Sequence, residues 1–213
     1  MDTPKLKKSK YSAHTPARIT PAIKQFAASH DGKSLHFIPH RPFPFSVAFQ
    51  CYQNCISAWQ NGYGTPVLGW SIWQTRNLWL TSEYHCVLKT DDGFVDITPT
   101  DSNGRLLFAS SGTEITEDNY VYVKNHIQSL NGSQLGTYAL LNHHPLVARA
   151  AQTLDRASNQ LHASGNRDWK SFDRSMISVE TLLDRYYDEK NNPIKKRREK
   201  KKIERKRKKR SRR

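Results

Sequence analysis

Residues 51–99 read CYQNCISAWQNGYGTPVLGWSIWQTRNLWLTSEYHCVLKTDDGFVDITP, and the fold turns on how this stretch divides. After Pro44 the pattern becomes helical: Val47, Cys51, Cys55, Ala58 and Trp59 recur at helical spacing and predict a helix over 47–60, ending at Asn61-Gly62. Ser46 stands where an N-cap would fall. PVLGWSIWQ (66–74) and LWLTSEY (78–84) follow, both β-rich in composition. EYHCVLK and GFVDIT then flank Thr90-Asp91-Asp92-Gly93, a short Asp-Gly connection between β-branched runs that signals a hairpin. Pro99 closes the second strand. A helix followed by antiparallel strands makes the expected class α+β.

On the N-terminal side, residues 1–22 hold Pro4, Pro16 and Pro21 among Lys, Ser and Thr and are expected to form an extended or mobile arm. IKQFAAS (23–29) fits a short helical turn, and 34–45 offers one short strand before Pro39, Pro42 and Pro44 keep the chain extended. On the C-terminal side, 100–113 reads as loop, with Asn103-Gly104 and Ser110-Ser111-Gly112. NYVYVKN (119–125) and TYALLN (137–142) read as strands. From Pro145 a helix is expected to about Leu161, and a last amphipathic helix over about 175–189, stopped by Asn191-Asn192-Pro193. The division is an arm (1–22), a globular α+β domain (23–190) and a basic tail (191–213), without internal repeats.

The 213 residues have room for one domain plus appendages. Hydrophobic content is a low 36%, but the deficit is local. Residues 195–213 contain fifteen Lys or Arg, two Glu and no aromatic residue, and so carry thirteen of the fifteen net positive charges. The rest of the chain is close to neutral. No segment approaches the roughly 20 apolar residues that span a bilayer, and the basic N-terminus lacks the apolar core of a secretory signal. Three cysteines, Cys51, Cys55 and Cys86, are an odd number that suits a reducing compartment. A cytoplasmic protein with no membrane partner is expected.

Cys51, His85 and Asp96 carry the chemistry. Thiol catalysis needs a thiolate, a base to accept its proton, and a group that holds the base in the right tautomer. A helix start suits the first need, because free backbone N–H groups stabilise negative charge there. His85 and Asp96 lie five residues before Thr90 and three after Gly93, so strand alternation allows both onto one face. Asp96 could then hold one imidazole nitrogen while the other faces Cys51. A helix starting at Ser46 would put Cys51 in its second turn, where free N–H groups are scarce; a start near Gln50 would restore the geometry.

This order and spacing resemble the core of the papain-like superfamily, especially its transglutaminase-like branch. There a cysteine heads a central helix, a histidine lies on a following strand and an aspartate on the next. HCVLKTDDGFVDITP is similar to that branch's strand–turn–strand pattern. The ordered set Cys51 and Asn54, Gly69-Trp70-Ser71-Ile72-Trp73, Glu83-Tyr84-His85, then Asp96-Ile97-Thr98-Pro99 is also similar to runs in uncharacterised bacterial proteins. The resemblance covers about fifty residues. It implies a central helix packed on an antiparallel sheet, with extra C-terminal helices and the disordered basic tail as additions. It implies Cys51 as nucleophile, His85 as general base and acid, and Asp96 as orienter. Papain-like enzymes usually carry an oxyanion-hole Gln a few residues ahead of the cysteine; here the nearest, Gln50, is adjacent and its side chain would point elsewhere.

Each residue also has a plainer reading. Cys51 and Cys55 are i and i+4 on an apolar face, where free cysteine is commonly a small core residue. His85 could be a hydrogen-bonded strand histidine, and Asp96 could organise the Thr98-Pro99 turn. Glu83 alternates with His85, as an orienting group or an exposed charge. Trp70 and Trp73 are candidate walls of a substrate cleft, with β-sheet core as the alternative. Cys51, Cys55, His85 and Cys86 are zinc-type ligands, but adjacent strand residues His85 and Cys86 point to opposite faces. No metal and no cofactor is therefore expected.

The tail residues Lys195, Lys196, Arg197, Arg198, Lys200, Lys201, Lys202, Arg205, Lys206, Arg207, Lys208, Lys209 and Arg210 lack aromatics that could stack bases. Phosphate attraction without sequence readout is the expected physics, so non-specific nucleic-acid binding is expected. A transport address, an anionic-membrane contact and a solubilising role are the alternatives. Two functions of different class follow. One is a cysteine hydrolase or acyl transferase acting on an amide or thioester of a protein or peptide substrate (protease, amidase, deamidase or transglutaminase), tethered to an anionic partner by its tail. The other is a non-catalytic nucleic-acid-associated protein, a virion or nucleoid component, that uses the fold as a scaffold.

Overall fold

In chain order the computed structural model contains α1 (Pro21–Ala28), β1 (Ser34–Pro39), α2 (Cys51–Gln60), β2 (Thr65–Thr75), β3 (Trp79–Thr90), β4 (Gly93–Val95), β5 (Arg105–Glu114), α3 (Tyr120–Ser129), β6 (Gly136–Leu140), α4 (Pro145–Ala163) and α5 (Trp169–Asn191). It describes residues 9–100, 104–130, 136–163 and 168–192. The class is mixed α+β: five helices and an open antiparallel sheet of six strands among the described residues.

β2 and β3 are the spine of the sheet, paired in register from Thr65↔Lys89 to Thr75↔Trp79. The strand order is β1-β5-β2-β3-β4, and β6 also pairs with β3. Both faces of β2 and β3 are covered, so their apolar residues run together instead of alternating with polar ones. One face carries Leu68, Cys86 and Leu88 against Cys55, Ile56 and Ala58 of α2 and Val123 of α3. Farther along, Ile72, Leu80, Leu107 and Ala109 receive Ile23, Phe26 and Ala27 of α1. The opposite face buries Ile38, Val67, Val87, Leu106 and Phe108 with no helical residue among them. There the sheet covers itself by curling: His40 at the end of β1 bridges Asp96 just past β4, and the His36 and Phe94 rings lie 5.1 Å apart. α4 and α5 pack on each other over Leu78 and Trp79 at the β2–β3 turn.

Several expectations hold. The helical turn expected over 23–29 is α1, which starts two residues earlier, inside the expected arm: Thr20 caps it, its hydroxyl accepting from the Ile23 N–H, with Pro21 at its first position. The β3–β4 hairpin turns at Gly93, whose φ of +108° favours glycine. β6 and α4 fall where strand and helix were expected, and α5 begins earlier than expected because Asp168 caps it through the Ser171 N–H.

Three expectations are corrected. The helix expected over 47–60 starts at Cys51: Phe49 has a φ of +65°, which a helix cannot contain, and Ser46 lies in a turn, its N–H bonded to the Phe43 carbonyl. The loop expected over 100–113 contains β5, a central strand whose Leu106 to Ala109 are fully buried between β1 and β2. The strand expected over 119–125 is the start of α3. Tyr120, Val123 and Ile127 line its inner side against the α2 cluster, a helical spacing hidden within an alternating Tyr-Val run.

The arm expected over 1–22 is anchored from Ser9 onward. The Tyr11 hydroxyl donates to Asp184 of α5 at 2.6 Å, and His14 bridges Gln74 of β2. Residues 1–8 and the tail residues from 193 onward lie outside the described residues. Among the described residues no helix is long and apolar enough to cross a membrane.

Candidate active site

The outer edge of β3 is shared end to end by two short strands. β6 pairs with Trp79–Glu83 and β4 with Leu88–Thr90, which leaves 84–87 between them without a strand partner on that edge among the described residues. His85 sits in this gap. The segment following β4 passes it, carrying Asp96, while residues 39–43 run alongside and bond to that segment's backbone: Asp96 N–H to the Pro39 carbonyl at 3.0 Å, and Arg41 N–H to the Asp96 carbonyl at 2.8 Å.

His85 is 6% exposed and Asp96 is fully buried. The imidazole Nε2 bonds Asp96 Oδ1 at 3.1 Å, and the same oxygen accepts the Thr98 N–H at 3.0 Å. With Nε2 so engaged, Nδ1 is the nitrogen left for a thiol, and Cys51 lies near enough for its charge to act on the imidazole. The three sequence-predicted residues are thus brought together. Burial alone would depress the histidine. The Cys51 and Asp96 charges and the Asp96 hydrogen bond outweigh it, and hold the imidazole well above the ordinary histidine range.

Cys51 is the first residue of α2 and is half-buried. Gln50 forms no side-chain cap, so its side chain satisfies none of the first-turn backbone N–H groups, among which Cys51 stands first. Cys55, one turn deeper, is fully buried and donates its thiol to the Cys86 carbonyl at 3.3 Å; the neighbouring Cys86 side chain and burial push its ionisation well upward. It is a core residue. Tyr84, beside His85, is half-buried and pushed up to about 12 by burial and by the Cys86 and Cys51 charges. Glu83 is exposed.

Trp70 and Trp73 do not share a cleft, because they alternate to opposite faces of β2. Trp70 lies between His30 and Tyr84, with ring centroids 4.7 and 5.0 Å away, and so touches Tyr84, the neighbour of His85. Trp73 packs on the helix-free face. The tail residues Lys195 to Arg210 lie outside the described residues. No group of three or more His, Cys, Asp or Glu that could hold a metal occurs among the described residues.

Sequence reasoning placed Asn54 and Thr98 in the ordered set but gave no role to them or to His40, which support the triad. Asn54 is 4% exposed and its amide bonds Val47 and Thr98. His40 Nε2 bonds the Thr98 carbonyl at 2.7 Å. The available signal was Asn54 itself, a polar residue in the first turn of a helix whose neighbours Cys55, Ile56 and Ala58 are apolar.

No family model, curated protein or solved structure matches the chain.

Proposed function

We propose that the chain is a cysteine-nucleophile hydrolase or acyl transferase of the papain/transglutaminase type, acting on an amide or thioester carbonyl. One observation supports it above the rest: a buried imidazole bonded to a buried carboxylate, with Cys51 near enough for its charge to act on the same ring. In this reading the Cys51 proton resides on His85, and the sulfur attacks the carbonyl carbon. The first-turn N–H groups of α2 stabilise the developing oxyanion. His85 returns the proton to the departing amine or thiol, leaving an acyl–Cys51 thioester. Water or an acceptor amine then attacks that thioester, giving up a proton to His85 as Cys51 leaves. Asp96 keeps Nε2 protonated and Nδ1 toward the sulfur throughout.

Alkylation by iodoacetamide tests the reading, with buried Cys55 and Cys86 as internal references. Cys51 is expected to react first at neutral pH, and His85→Ala to slow it about tenfold or more, within the usual contribution of a positioned acid–base group. An unchanged rate in His85→Ala overturns the proposal. The second reading, a nucleic-acid-associated scaffold, is favoured by the concentration of positive charge in 195–213, and is compatible with a tethered enzyme.

A further inference from the structure

We infer that Asn54 is a positioning residue of this site: its amide ties the loop that presents Cys51 to the segment that presents Asp96. The inference rests on the thiol-catalysis reading above and names what sets its geometry.

Asn54 belongs to α2, three residues after Cys51, and is 4% exposed beside an apolar cluster. Burying an amide there is costly unless its hydrogen bonds are made, and packing gives no reason for it. Its bonds are made, and each goes to a part of the site. The Val47 N–H donates to Oδ1 at 2.9 Å and Nδ2 donates to the Val47 carbonyl at 2.8 Å, a two-point clamp on the loop before the nucleophile. That loop needs a clamp. It contains Phe49 at a φ of +65°, a backbone state that persists only where the surroundings impose it.

The same Nδ2 also donates to Thr98 Oγ1 at 3.2 Å. Thr98 is 3% exposed, and its own N–H bonds the Asp96 oxygen that holds His85. Its carbonyl is held by His40 Nε2. One amide therefore spans from Val47 to Thr98, and the chain Asn54–Thr98–Asp96–His85 returns to Cys51. Loss of that link frees the nucleophile's loop and the acid's segment to shift relative to each other. A displacement of about 1 Å at a reacting pair is enough to cost about a hundredfold in rate.

The test uses the full-length protein and five forms: wild type, Asn54→Ala, Thr98→Val, Thr98→Ser and His85→Ala. Cys51 alkylation is followed against pH, His85 titration by NMR, and melting in parallel. Asn54→Ala and Thr98→Val are expected to slow alkylation at neutral pH about tenfold to a hundredfold. Both should also bring the His85 titration down toward the ordinary histidine range, and Thr98→Ser, which keeps the hydroxyl, should stay near wild type. Lowered melting with an unchanged pH profile and His85 titration would make Asn54 merely structural and overturn the inference. If Asn54→Ala does not fold, Thr98→Val against Thr98→Ser decides. A His85→Ala effect without an Asn54 or Thr98 effect sinks only this inference. No effect even in His85→Ala sinks the catalytic reading and this one together.

Discussion

A histidine sealed from water ordinarily sheds its proton, and His85 holds its proton more tightly instead. The sign of the resulting pH dependence follows. Its folded value lies above the ordinary 6.5, so the stability it contributes is fully present below about 6.5 and is lost as pH rises through the raised folded value. Asp96→Asn removes one of the two charges responsible while keeping the shape of the side chain. It should lower the His85 titration and cost about 2 kcal/mol below pH 6.5, the scale of a hydrogen bond to a charged group. The cost should shrink at alkaline pH. Urea unfolding of both proteins across this range measures it; a pH-independent difference would count against a charged pair. Cys51, His85 and Asp96 were legible in the sequence because their types and order are what thiol chemistry requires. The roles of Asn54 and Thr98, both present in the ordered set, were not, because those roles are hydrogen bonds to backbone and to each other across 44 positions. Residue type alone does not show such bonds.

At the scale of elements, legibility followed how local the cause was. The IKQFAAS run gave α1 its helical turn, though its Thr20 cap and Pro21 start fell in the expected arm, and the β3–β4 hairpin has its Gly93, so both elements could be read within a few residues. β5 could not. Its buried core of Leu106 to Ala109 is short and is bounded by Gly104 and Gly112, each at positive φ, so it resembles a loop until β1 and β2 close on both sides. α3 went the other way, since Tyr-Val alternation suits a strand until the α2 cluster takes only Tyr120, Val123 and Ile127. The junction of β2 and β5 supplies a sharp test. Their register shifts between Leu68 and Gly69, and a methyl added at Gly69 would collide with the Ala109 carbonyl and the Phe108 ring. Gly69→Ala should therefore destabilise by about 3 kcal/mol, the upper range for overpacking a sheet interior. Gly93→Ala meets open space and should lose only its positive-φ preference, about 1–2 kcal/mol. Chemical denaturation ranks the two, and an equal or reversed order would refute the close approach at Gly69.

Across the whole molecule, charge and fold are separated. Residues 195–213 hold thirteen of the fifteen net charges, while the folded part has its ion pairs locally balanced, as in Lys89–Glu114 and Lys10–Asp184. Affinity for nucleic acid should therefore travel with the tail and chemistry with the α2–β3 site, and each should survive loss of the other. For a protein that neutralises about 6–10 phosphates, affinity falls about 10³–10⁵-fold between 50 and 200 mM salt. The full chain should show a slope of that order on mixed-sequence duplex DNA and equally on RNA, since it has no aromatic residue in the tail to stack a base. Truncation after Ile194 should abolish binding at 200 mM salt and flatten the slope, yet leave the Cys51 alkylation rate and its dependence on His85 unchanged. Sequence-selective binding by the truncated chain would assign recognition to the folded part. A fall in Cys51 reactivity on truncation would show that the tail reaches the site, and the two modules would then be one.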